Sequence, residues 1–225
     1  MLSIATGKPA QGIFSYLNNI DELCQLKSTV KTVDEFLELD HLDKCLAIRA
    51  AFIVRDVVKK LAKKDIKKKV AINDLYAQDL LMMSKAHHMY MSFVIFMKSV
   101  ENRQFKCPNI KPLLLLLAKI FALKQLSLDS VVLYETGFFT SGSKGLLLDA
   151  MKKALIELRP HMIPLVELKT DELLDHSHLS AIGNKYGDIY ERQLELAMNS
   201  RLNKKDKPDY WDSLVKPIMQ QGGKL

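Results

Sequence analysis

Three cysteines, Cys24, Cys45 and Cys107, are all that 225 residues contain, and no two stand in a Cys-x-x-Cys spacing. That excludes a disulfide framework and a thiolate zinc site as the basis of the fold and suits a reducing compartment. No basic region precedes an apolar core at the amino terminus, so no secretory signal is expected. The most apolar run, Leu113 to Leu126, is interrupted by Lys119 and Lys124. It falls short of the roughly 20 residues that cross a bilayer. Alternation of period two is absent, and β-branched residues never cluster without helical spacing, so strands are not predicted. There is no glycine-rich phosphate loop, no Ser-His-Asp constellation, no internal repeat and no low-complexity tract.

What the chain has instead is apolar residues at helical spacing. The apolar fraction is 48%, enough for a proper core. Leu42, Leu46, Ala50, Ile53, Val54, Val57, Val58 and Leu61 recur at steps of three and four, with Asp56, Lys59, Lys60 and Lys63 on the other side. The pattern predicts an amphipathic helix of about six turns at 3.6 residues per turn. Its face formed by Leu46, Ala50, Val54, Val57 and Leu61 is expected to pack on the helix 113–126. Upstream, Thr32 and Glu35 have the spacing of a capping box.

A second long helix is expected from Asp74, capped by Asn73, to about Asn102, since neither glycine nor proline interrupts it. Shorter helices are expected at Ser130–Glu135, ending at Gly137, and through Leu146–Leu158 with Ser143 as cap. Pro164 is expected to bend or break the helix that follows Pro160. Ile189, Tyr190, Leu194 and Ala197 are expected to face a core, behind a start capped by Asp188. The fold class is therefore all-α, a helical bundle.

Formal net charge is +7, and seven lysines crowd into Lys59–Lys69 with only Asp65 among them. Such a run attracts phosphates of nucleic acid, membrane or coenzyme. It equally serves as a solvated helix end favouring the negative pole of the dipole, and base rates favour that second role. No aromatic-basic interleaving or helix-turn-helix pattern supports nucleic-acid binding. As acid or base candidates, Glu135, Glu157 and Glu167 have nothing that raises them above solvated carboxylates. His87 and His88 are adjacent, so on a helix their rings diverge by about 100° and do not share a metal. His176 and His178 have no third ligand near them. No residue is therefore assigned a catalytic, cofactor-binding or metal role.

Several segments together resemble one family. The block Ala181-Ile182-Gly183-Asn184-Lys185-Tyr186-Gly187-Asp188-Ile189-Tyr190-Glu191 is similar to the last conserved block of the peroxisomal acyl-CoA oxidases, departing from it at Lys185 and Tyr186. Gly7-Lys8 with Ser15-Tyr16-Leu17-Asn18, Ile48-Arg49-Ala50-Ala51, Ser84-Lys85-Ala86-His87 and Leu158-Arg159-Pro160 also resemble family segments. Lys85 stands where the family has Glu, and Pro164 is an extra proline. The resemblance covers nearly all of this chain and about the last third of the family's length. It implies that residues 1–28 are a linker remnant of a preceding helical bundle and residues 29–225 the carboxyl-terminal helical domain.

Members of that family use FAD to oxidise fatty acyl-CoA. The resemblance therefore implies a dimer or an association with a full-length oxidase, and fatty acyl-CoA only through the complete enzyme. The family's carboxylate base lies in a Glu-Gly-(Glu or Asp)-Asn motif, which this sequence lacks, so activity and FAD binding are not expected of this chain alone. The last three residues, Gly223, Lys224 and Leu225, are similar to the Ser-Lys-Leu peroxisomal address, with glycine as the small residue. The other class of reading is a stand-alone helical interaction module with a lysine-rich surface.

Overall fold

The computed structural model describes residues 9–62, 67–166 and 189–221. Among them every regular element is helical, and no strand is present. The chain divides into two compact units, Met1–Arg159 and Pro160–Leu225.

The first unit is built on four long helices: α3 (Leu39–Leu61), α5 (Ala77–Glu101), α6 (Ile110–Leu128) and α8 (Ser143–Leu158). Short helices α1 (Ile20–Gln25), α2 (Val33–Phe36), α4 (Lys68–Val70) and α7 (Val131–Glu135) fill the connections. Small residues let α3 run through the middle, and from Cys45 to Ala51 every side chain is buried. Leu46, Ala50, Val54 and Val57 form the buried face that their spacing predicts, while Leu61 is only half-buried at the helix end. The main partner of that face differs from the expected one. α3 packs most extensively on α5 and more narrowly on α6, which lies chiefly against α8 and α5. An apolar stripe states that a face is buried, and both neighbours are apolar enough to bury it.

Residues 10–25 wrap this pair. A 3₁₀ turn at Gly12–Asn19 and then α1 lie on α3, with Ala10 and Leu17 joining Ala51, Val54, Val57 and Met83 in one cluster. Leu17 is almost wholly buried, a contribution of about 1.5–3 kcal/mol for a side chain of its size. Asn18 closes the loop by accepting from Ala10 N at 2.7 Å and donating to Ala10 O at 3.0 Å. The capping box forms as expected: Glu35 N donates to Thr32 Oγ1, and Thr32 N to Glu35 Oε2 at 3.2 Å.

Three local expectations are corrected. Before α5 the chain makes a wide turn, Ala71–Leu75, closed by Tyr76 N on Ala71 O at 2.9 Å. Asn73 lies inside that turn, so α5 starts at Ala77 with Tyr76 at the cap position. Ser143 is the first residue of α8 rather than its cap, because its hydroxyl accepts from Thr140 N at 2.9 Å and Gly142 takes the cap position. Pro164 does not break the helical stretch 162–166. After the 3₁₀ turn Arg159–His161 it stands in the first helical turn, where its missing amide would have had no partner.

In the second unit a helix at Ile189–Asn199 is followed by a 3₁₀ turn at Arg201–Lys204, a wide turn at Trp211–Val215 and a helix at Lys216–Gln221. Asn203 Nδ2 ties the turn to Ala197 O at 2.9 Å, and Lys207 lies over the Trp211 ring. Tyr190, Leu194 and Ala197, expected to face a core, are exposed. The helical period is present, but spacing alone does not supply a surface to bury it.

Candidate functional site

Four polar side chains meet where residues 10–25 cross α3 and α5. His87, on the face of α5 that meets α3, is 7% exposed. Its ring stacks on Phe14 at 4.5 Å, and its Nδ1 is 3.0 Å from the Tyr16 hydroxyl. Tyr16 meets Tyr90 edge-on at 4.8 Å, and Tyr90 in turn shares a hydrogen bond with Asp43 of α3. Burial dominates the electrostatics: it lowers the His87 pKa and raises those of Tyr16, Tyr90 and Asp43. Burial thus works against the charged form of each of the four groups. Nε2 of His87 has no hydrogen-bond partner. The cluster fastens the amino-terminal segment to the bundle.

A second buried histidine sits at the start of α3. His41 is enclosed by Phe36, Phe138 and Phe139, with Cys45 Sγ 3.5 Å from Nε2. Desolvation pushes its pKa down to about 4. It also raises the Cys45 thiol well above its usual range, so that thiol is not an activated nucleophile. Arg49, 4% exposed, reaches the end of α6 and donates from Nη1 to Gln125 O at 2.9 Å and Asp129 O at 3.3 Å. A cation is well placed against the orphan carbonyls of a helix carboxyl terminus.

Of the lysine run, Lys60 is committed to structure, bridging Asp56 of its own helix at 2.8 Å and Asp79 of α5 at 2.7 Å. Three surface cavities are lined by named side chains: about 260 Å³ between α5 and α6, about 420 Å³ beside His41 and Phe138, and about 440 Å³ around Lys111, Lys119 and Glu157. Sites for drug-sized ligands span roughly 300–1,000 Å³ and bury most of the ligand. FAD is larger than a drug-sized ligand and needs a cradle for its pyrophosphate. None of the three supplies both, and the residues lining them do not fit a flavin dinucleotide.

Of the acid and histidine candidates, Glu135, Glu157 and His88 are exposed and His87 is buried, so the adjacent histidines do point apart. Among the described residues no group of three metal-ligating side chains converges. Glu167, His176, His178 and the carboxyl-terminal Gly223, Lys224 and Leu225 lie outside the described residues. The Tyr16–His87–Tyr90–Asp43 cluster and the reach of Arg49 to α6 were not foreseen from sequence. An arginine in the middle of an apolar helix face was the available signal for the second.

The family model described as acyl-CoA oxidase matches residues 38–220. Peroxisomal acyl-coenzyme A oxidase 1 of Arabidopsis thaliana is 24% identical over 218 residues, covering 97% of this chain and 32% of that protein. The protein of the same name from Bos taurus is 28% identical over 207 residues, 89% of this chain and 31% of its own length. Among solved structures, an acyl-CoA oxidase from tomato, Lycopersicon esculentum, superposes with a TM-score of 0.73 at 25% identity, over 96% of this chain and 32% of that one. The chain thus spans about a third of the length of the relatives it matches. With more than half its residues inside the family match and the same helical fold, the chain belongs to the acyl-CoA oxidase family.

Proposed function

We propose that this chain supplies the carboxyl-terminal helical part of an acyl-CoA oxidase and acts in peroxisomal fatty acid β-oxidation only together with an oxidase body. The observation that carries this reading is the lopsided match: almost the whole chain aligns, to about a third of each relative. Family members depend on FAD, and their chemistry removes two hydrogens from fatty acyl-CoA and passes the electrons to oxygen. That requires a carboxylate base, and Glu-Gly-x-Asn occurs nowhere in these residues. Residues 29–225 would form the docking domain, with 1–28 leading into it. Its role is then to pack on, or dimerise through, a body that holds flavin and substrate.

Two measurements test the proposal. Purified alone, the chain should show no flavin absorbance and no hydrogen peroxide production from palmitoyl-CoA. Co-expressed with a full-length family member, it should co-purify with that protein. Peroxide production by the isolated chain, or failure to co-purify, would overturn the reading.

We also propose that Gly223, Lys224 and Leu225 direct peroxisomal import. Glycine keeps the small size of the family serine and adds backbone freedom that must be frozen on binding, so the address should be weaker than the serine form. A fluorescent protein fused ahead of residues 210–225 should give punctate peroxisomal signal that deletion of Leu225 abolishes. Diffuse signal from both fusions would refute direct targeting.

A further inference from the structure

The hairpin α5–α6 carries an apolar groove at one end of which cations collect. Ser92, Phe93 and Phe96 from α5 and Leu117, Ala118 and Phe121 from α6 line the cavity of about 260 Å³. Only Ser92 among them brings a polar side chain. The cavity opens to solvent past Phe96, which is 37% exposed. Its volume is just under the roughly 300 Å³ at which drug-sized sites begin. A single hydrocarbon chain suits it better than a fused ring system.

The charge of the hairpin is one-sided. α6 carries Lys111, Lys119 and Lys124 and no carboxylate; α5 carries Lys85 and Lys98 against Asp79 and the terminal Glu101. Asp79 is already engaged by Lys60. Lys85 and His88 stand seven and four residues before Ser92, and Lys124 stands three after Phe121 and seven after Leu117. Helical spacing places all three on the faces that line the groove. The short connection 102–109 makes α5 and α6 antiparallel neighbours, so the early part of α5 lies beside the late part of α6. Lys85, His88 and Lys124 are exposed. None has an ion-pair partner among the described residues. The negative pole of α6 at this end is covered from inside by Arg49.

We propose that the α5–α6 groove binds a single-chain carboxylate amphiphile of the fatty-acid type, its hydrocarbon along Phe96, Leu117 and Phe121 and its carboxylate toward Lys85, His88 and Lys124. Charge complementarity selects the head group, and the narrow apolar cavity selects one chain. The occupant is the free monomer rather than a membrane lipid, because the cavity takes one tail and not a bilayer patch.

Isothermal titration of the whole chain with decanoate and with decyltrimethylammonium, which shares the tail and reverses the charge, tests this. Decanoate should bind saturably at one site, about tenfold more tightly than the ammonium, the product of several surface charge contacts each worth a few-fold. Lys85→Gln with Lys124→Gln should weaken decanoate about fivefold on the same reasoning and, by removing like-charge repulsion, should not weaken the ammonium. Ser92→Phe, at a half-buried surface position of α5, fills the groove and should abolish both, with circular dichroism and the urea midpoint confirming the fold. Absence of binding would overturn the proposal, as would equal affinity for the two head groups. So would decanoate binding that survives in folded Ser92→Phe, or association only with anionic vesicles.

Discussion

Acidification from pH 7 to pH 4 should destabilise this protein through His41, by an amount the structure sets. His41 is 7% exposed in a shell of Phe36, Phe138 and Phe139, and desolvation holds its pKa at about 4 against an ordinary 6.5. Above pH 6.5 the folded and unfolded chains both carry neutral imidazole, and the full stability is present. Between 6.5 and about 4 the unfolded chain takes up a proton that the folded chain refuses, so stability falls as pH falls. Below about 4 both forms are protonated and the loss levels off. A drop of about 2.5 in pKa, at about 1.4 kcal/mol per unit, makes the total roughly 3 kcal/mol. Urea unfolding at intervals from pH 7 to pH 4 should be run on the parent chain and on His41→Gln, which has no titration in this window. All other groups, His87 included, titrate in both proteins and cancel in the difference. The parent should lose roughly 3 kcal/mol more than the variant over the interval. Curves that stay parallel within about 0.5 kcal/mol, near the error of extrapolated values, would refute the assignment of His41 as a buried neutral imidazole.

Other expectations follow from single contacts. Arg49→Met keeps most of the volume but leaves Gln125 O and Asp129 O without their donor; it should cost about 1.5–3 kcal/mol in urea unfolding and speed amide exchange at the end of α6. Gly137 has φ +67, and a Cβ there would lie 2.7 Å from Lys27 Nζ, so Gly137→Ala should destabilise by about 1 kcal/mol. Gly145, in the first turn of α8 with open space around it, offers the contrast: Gly145→Ala should stabilise by about 0.4–1 kcal/mol, and thermal melts of the two variants should move in opposite directions. Thr32→Ala removes the cap hydroxyl of α2 and should lower stability by about 1 kcal/mol, read as a lower melting temperature.

Much of this architecture was legible in the residues. The 3.6-residue recurrence from Leu42 to Leu61, the uninterrupted stretch before Asn102 and the Thr32–Glu35 box each depend on neighbours within a few positions. Local backbone geometry is set by exactly those neighbours, so helix existence and the all-α class were available from sequence. Helix starts were less so, because Asn73 and Ser143 are good caps by type but their groups are placed by a wide turn and by Thr140 N. Of the candidate site, sequence could say that His87 and His88 diverge. Which of the two is buried depends on Phe14 and Tyr16, more than 70 positions away. The choice of α5 over α6 as the main partner of α3 and the grip of Arg49 on carbonyls 76 and 80 residues distant were decided only by the packed fold. The same holds for the groove between Phe96 and Phe121. An apolar or charged side chain specifies the kind of surroundings it needs, and several segments of this chain could provide them. Only the closure of the whole bundle, with each helix filling the space its neighbours leave, selects one.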